Sequence, residues 1–270
     1  MTDYGVYVAL TTPFDAEGEP HPAALQAHIE LLVEDGVDGV VVAGTTGEGP
    51  LLEETEIEAV VAMAVEAAGD RLKVVAHVGR PSTPATVRLA AAAAQAGAGG
   101  LIAITPYYFP LGDEELLRHY DALLRAVDGA PVLAYTFPAR AGNELSPAVL
   151  DRLADEGLAG MKDSTGSAER HREYLDVARR HRDLRIYVGS DSLLLDSLRG
   201  GGAGAISGLA NVRADLVLRL RQNPSDEAQR AVAAARAELP DIPHVKRAVS
   251  ERLADRGVWY APAARPPLGA

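Results

Sequence analysis

Lys162 ends an apolar run, "LAGMKDST" at 158–165, that otherwise has the composition of a buried strand. Lysine is rarely fully buried, and a lone one at a strand end ordinarily marks where the chain meets water. Its companions change that reading. Thr11 and Thr12 follow one apolar run, Thr45 and Thr46 another; tyrosines stand at 107, 108 and 135, and Arg140 lies just beyond Tyr135. A neutral amine attacks a ketone and forms an imine. An unperturbed lysine amine is neutral only about once in a thousand near pH 7.4, and apolar burial favours the neutral form. Imine formation also needs a proton carrier to dehydrate the carbinolamine, a role open to Tyr135 with the Thr45 hydroxyl as relay. The backbone N–H groups of the "TTG" turn, ahead of a helix, are a natural carboxylate seat. Read singly, Tyr135 equally fits a core residue, the threonines turn residues and Arg140 a surface ion pair. Gathered at one face of one fold, those readings weaken together.

The elements carrying these residues must bring them to that face. Short β-rich apolar runs alternate with longer Ala/Leu-rich runs of helical spacing. Strands are expected at 6–10, 39–43, 73–78, 100–105, 131–136, 158–162, 185–189 and 204–207. Helices are expected at 24–35, 53–68, 83–96 with Ser82 as cap, 113–127, 146–156 and 168–180. Near-continuous apolar strands separated by helices mean a parallel sheet covered on its faces. Eight βα units predict an α/β fold of the (β/α)8 TIM-barrel type, with an open doubly wound sheet as rival. The barrel is expected over 1–222, and a C-terminal helical segment and tail over 223–270, packed outside it. Chemistry in such barrels sits at the C-terminal strand ends. Lys162, Tyr135, Thr45, Thr46, His77, Tyr107, Tyr108, Asp191 and Ser207 all fall there.

Composition narrows the chemistry. The chain has 270 residues, 47% of them hydrophobic, and no cysteine. Disulfides, thiolate metal sites and cysteine nucleophiles are thereby excluded. No run reaches the ~18 apolar residues of a membrane span, and the N-terminus lacks a signal-type pattern, so a cytoplasmic location and no membrane partner are expected. A net charge of −12 argues against nucleic acid. "ARRHRDLR" at 178–185 reads as a solvated helix end. "GTTGEGP" and "GGAGAISG" spell neither a phosphate loop nor a dinucleotide fingerprint, and "GAISG" misses the nucleophile-elbow pattern. The histidines form no metal-binding spacing, and His77 reads as packed or hydrogen-bonded. Neither a cofactor nor a metal is expected.

Six motifs at these strand ends, "GTTGE" (44–48), "TPYY" (105–108), "YTFPARAG" (135–142), "GMKDSTG" (160–166), "GSD" (189–191) and "GGGAGAIS" (200–207), resemble the dihydrodipicolinate synthase/N-acetylneuraminate lyase family. The likeness runs in order from "TTPF" to about residue 260. It implies a class I, Schiff-base lyase acting on pyruvate or another 2-oxo acid together with an aldehyde. By that resemblance Lys162 matches the Schiff-base lysine and Tyr135 the proton-transfer tyrosine. Thr45 and Tyr108 match the relay partners of Tyr135, and Thr46 the holder of the pyruvate carboxylate. Ile206 matches a position whose main chain lies beside pyruvate. The second tyrosine of "YY" enters a neighbouring subunit in the family, which implies a homo-oligomer, dimer or tetramer.

The motifs divide over substrate. Arg140 matches the arginine that binds the carboxylate of aspartate semialdehyde in the synthases, and Thr-Thr leans away from the sialic acid lyases. Thr136 stands where synthases usually have asparagine, and "PYYFP" and "VGSD" resemble the 2-keto-3-deoxygluconate aldolases. A 4-hydroxy-tetrahydrodipicolinate synthase-like condensation is the first expectation. A sugar-acid aldolase or dehydratase is its alternative. A non-catalytic 2-oxo acid sensor would need neither nucleophile nor proton carrier, and a phosphate-binding barrel enzyme would need a clear phosphate loop after strands seven or eight.

Overall fold

Residues at alternate positions of a strand face opposite sides of a sheet, and here both sides are apolar. A computed structural model describes residues 5–127 and 129–268. Its eight strands are β1 (Gly5–Ala9), β2 (Gly39–Val42), β3 (Lys73–His77), β4 (Gly100–Ile104), β5 (Val132–Thr136), β6 (Gly160–Asp163), β7 (Arg185–Val188) and β8 (Gly204–Ser207). They pair in parallel and in chain order, and β8 closes on β1. Val6, Val8, Val40, Val42, Met161 and Ile186 form part of the layer beneath the helices. Tyr7, Val41, Val75, Ile102, Leu133 and Ile206 belong to a separate inner cluster that fills the barrel. Met161 faces the helices, so the period of two turns Lys162 into the lumen. In register it lies beside Tyr135 on β5 and Tyr187 on β7. It is the third of four β6 residues, not the last residue of a strand ending at 162.

The helices are α1 (Pro22–Asp35), α2 (Glu54–Ala68), α3 (Thr83–Gln95), α4 (Asp113–Ala126), α5 (Pro138–Ala141), α6 (Pro147–Asp155), α7 (Ala168–Ala178), α8 (Leu194–Arg199), α9 (Ala210–Gln222), α10 (Asp226–Glu238) and α11 (Ile242–Ala254). Side chains of Ser82, Ser146, Ser167, Ser225 and Asp241 cap α3, α6, α7, α10 and α11 by accepting early backbone N–H groups. α8 and α9 complete the barrel's helical ring but lie outside the helical runs read from sequence. α8 has only six residues, and α9 is kinked at Arg213, where φ is −125° and ψ 52°. Neither presents a long unbroken period. α10 packs on α9 and on the short 3-10 turn Asp191–Leu193 that follows β7, and α11 on α9 and α1. The C-terminal helices thus reach the C-terminal face of the barrel as well as its outside. No described helix is long and apolar enough to cross a membrane.

Candidate active site

A cleft of about 560 Å³ opens at the C-terminal ends of the strands. Thr45, Thr46, Tyr135, Arg140, Lys162 and Ile206, from the ends of β2, β5, β6 and β8 or the segments that follow them, all line it. Lys162 is 7% exposed, and its Nζ lies 4.5 Å from the centre of the Tyr135 ring. The Tyr135 hydroxyl lies 3.2 Å from Thr45 Oγ1. Room for the lysine depends on Gly189 at the end of β7. A Cβ there would stand 2.8 Å from Lys162 Cε and 2.1 Å from Ser164 Oγ.

Thr45 and Thr46 sit in a tight loop after β2. Ala43 and Glu48 bracket it with φ of 54° and 60°. Glu48 N donates to Thr45 O at 3.1 Å, and Gly49 N to Gly44 O at 3.0 Å. Gly49 admits this closure because a Cβ there would fall 1.8 Å from Ala43 O. Thr12 Oγ1 donates to Gly47 O at 2.7 Å, and buried Arg80 donates to Gly49 O and Leu52 O at 3.0 and 2.6 Å. The loop is therefore held before any ligand arrives.

Arg140 stands on α5, exposed, with its guanidinium 6.0 Å from the Phe137 ring centre. No carboxylate among the described residues is recorded within ion-pair distance of it. Tyr108 does not line the cleft. It is 85% exposed, with φ of 84°, and its ring meets Phe109 edge-on at 5.0 Å. Asn143 shapes that loop: Nδ2 donates to Pro106 O and Phe109 O at 2.6 and 2.8 Å, and Oδ1 accepts from Leu111 N at 2.9 Å. In the sequence Asn143 is one more turn asparagine.

His77 is a buried, hydrogen-bonded residue. Its Nε2 accepts from Ile104 N at 3.3 Å. Burial, with help from the charges of Lys162 and Arg80, pushes its pKa down to about 3, so the ring is neutral. Asp191 lines the cleft and is buried, and desolvation raises its pKa. Ser207 Oγ donates to Asp191 Oδ1 at 2.5 Å, and Arg236 Nε lies 3.9 Å from Oδ2; both oppose the rise, as does Lys162. Ser164, Thr165, Ser190 and Ser192 add hydroxyls to this wall, and Arg236, Asp241 and Val245 bring the C-terminal segment to the mouth. That contribution was not legible, because surface helices read alike whether or not they border a cleft.

A closed parallel barrel with a buried lysine and tyrosine at its C-terminal mouth has the parts that Schiff-base chemistry of the class I aldolase type uses. The comparisons agree on that class. The Dihydrodipicolinate synthetase family profile matches residues 3–269, and the chain belongs to that family. It is 40% identical to an uncharacterized DapA-like lyase of Halobacterium salinarum, over 96% of this chain and 88% of that protein. It is 37% identical to a 4-hydroxy-tetrahydrodipicolinate synthase of Methylococcus capsulatus, over 77% of this chain and 71% of that one. Against an N-acetylneuraminate lyase of Escherichia coli the identity is 34%, over 77% and 69%. Among solved structures, YagE of E. coli K12, a dihydrodipicolinic acid synthase family protein in complex with pyruvate, superposes with a TM-score of 0.87 at 28% identity, over 98% of this chain and 92% of that one.

Proposed function

We propose that the protein condenses pyruvate with an aldehyde, or cleaves the corresponding 2-oxo acid, through an imine on Lys162. The observation carrying this reading is the buried Lys162 amine against Tyr135, whose hydroxyl is in turn linked to Thr45. In the reaction Nζ adds to the ketone carbon of pyruvate. Tyr135 carries protons between the amine and the leaving hydroxyl, water departs, and the imine remains. Loss of a methyl proton then gives an enamine whose carbon attacks the aldehyde. Hydrolysis releases the product and restores the amine. Thr46 and the turn around it hold the pyruvate carboxylate, and the Ile206 main chain borders the bound acid.

The preferred aldehyde carries a carboxylate, as aspartate semialdehyde does, because Arg140 offers a guanidinium at the mouth that has no carboxylate partner among the described residues. A second reading draws on the wall of Ser164, Thr165, Ser190, Asp191 and Ser192, which suits the hydroxyls of a sugar-acid chain. The exposed Tyr108 suits a role in the cleft of a second copy, with the enzyme working as a homo-oligomer. The test is pyruvate consumption by purified protein with aspartate semialdehyde or glyceraldehyde, and pyruvate release from sugar 2-oxo acids. Turnover only with the polyhydroxy compounds would move the assignment to the sugar-acid aldolase. No turnover in any arm would leave a 2-oxo acid sensor.

A further inference from the structure

Glu48 follows the Thr45-Thr46 turn by two residues, yet its side chain plays no part in the cleft. It is fully buried, and Lys246 of α11, also fully buried, donates from Nζ to Glu48 Oε1 at 2.6 Å. The second carboxylate oxygen accepts from the backbone N–H of Arg265 at 2.6 Å. Lys246 Nζ and the Arg265 guanidinium both lie against the Phe14 ring, 4.0 and 4.6 Å from its centre. Arg265 further donates to Gly18 O, Leu51 O and Glu56. Residues 198 and 217 positions later in the chain therefore grip one side chain of the loop that carries the threonines.

Burying two charges is a poor route to stability, since apolar groups of similar volume often do as well or better. Burial alone drives the Lys246 amine toward its neutral form, and Glu48 opposes that. What the pair supplies is a fixed distance and direction. α11 forms part of the cleft wall through Ile242 and Val245, and the next residue, Lys246, is tied to the loop bearing the threonines. We infer that Lys246 and Glu48 are positioning residues that hold the Thr45-Thr46 turn in the geometry needed to seat the substrate carboxylate and to support Tyr135. The inference rests on the pyruvate reading for its catalytic consequence, but its structural half stands apart from it.

Lys246→Met alone strands a buried carboxylate and is a poor probe. The double variant Glu48→Gln/Lys246→Met removes both charges and keeps an amide oxygen to accept from Arg265 N. It is expected to fold with a melting temperature near that of the parent. Hydrogen exchange in the peptide covering 44–52 should quicken at least tenfold. The pyruvate concentration that half-saturates borohydride trapping should rise about tenfold, while the KM for the aldehyde measured at saturating pyruvate stays within twofold. If the parent protein is not trapped by pyruvate at all, the pyruvate reading fails. Faster loop exchange would then still support the positioning role. Parent-like exchange in the folded double variant would overturn the inference, as would faster exchange with unchanged pyruvate half-saturation in a trappable enzyme. Should the double variant not fold, Glu48→Gln alone gives the second measurement: it keeps the size of the side chain and one acceptor oxygen while removing the charge that holds Lys246. It should quicken the same peptide, and an unchanged rate there would also overturn the inference.

Discussion

The Tyr135 hydroxyl is 3.2 Å from the Thr45 hydroxyl while the Tyr135 ring stands 4.5 Å from the Lys162 amine. One side chain thus stands beside both the amine proposed as nucleophile and the hydroxyl proposed to relay its proton. Tyr135→Phe keeps the ring and removes the relay. Turnover should fall by roughly 10²–10⁴-fold, the usual worth of a positioned acid–base group. Rapid mixing with pyruvate should show slower imine formation. Near-normal turnover would make Tyr135 a packing residue.

The proposed choice of a carboxylated aldehyde turns on Arg140. A charge-assisted pair with a carboxylate is lost in Arg140→Ala, and the KM for aspartate semialdehyde should rise about 10- to 150-fold. Pyruvate trapping should hardly change. Arg140→Lys should recover little, because an ammonium lacks the planar fork. Steady-state kinetics with the aldehyde varied at saturating pyruvate reads the difference. An unchanged KM would defeat the carboxylated-aldehyde assignment.

Gly189→Ala tests the crowding around Lys162. The added methyl would meet Lys162 Cε at 2.8 Å and Ser164 Oγ at 2.1 Å, with Asp163 O at 3.1 Å. The lysine must turn away to make room, so borohydride trapping should slow by at least tenfold in a protein that still shows a parent-like circular dichroism spectrum. Parent-like trapping would mean that Lys162 has freedom the structure does not give it.

Buried histidines set a pH limit on stability. His28, His77 and His119 have pKa values pushed down to about 4, 3 and 4, in each case chiefly by desolvation, from an ordinary 6.5. The unfolded chain therefore binds more protons than the folded one between pH 6.5 and about 4. Stability is full above that window and falls as pH drops through it. From pH 7 to pH 5 each histidine should cost about 2 kcal/mol. Urea unfolding at the two pH values should show the midpoint fall, and His28→Leu should flatten the slope. A midpoint unchanged between pH 7 and pH 5 would contradict this.

Much of the barrel was legible because each strand lies in a short, mainly apolar run and each long helix has a clear period. α8 and α9 were not, since one is a turn and a half and the other bends at Arg213. The residues Thr45, Thr46, Tyr135, Arg140, Lys162 and Ile206 were legible because their motifs fall at strand ends, and the fold brings them to one cleft. Glu48 could be placed on that ring but not paired. No local pattern announces a contact with Lys246 and Arg265, which depends on how the last helix and the tail after it pack beside the cleft. Asp191 was likewise placed without a partner, since Ser207 and Arg236 reach it only through the closure of β7 on β8 and the packing of α10.

The central claim is that Lys162 is the nucleophile, and borohydride reduction in the presence of pyruvate tests it most directly. The account predicts a single stable adduct on the peptide containing Lys162, read by mass spectrometry. It also predicts no adduct and no turnover in a folded Lys162→Ala variant. Absence of any adduct, or an adduct found only at Lys73 or Lys246, would contradict it.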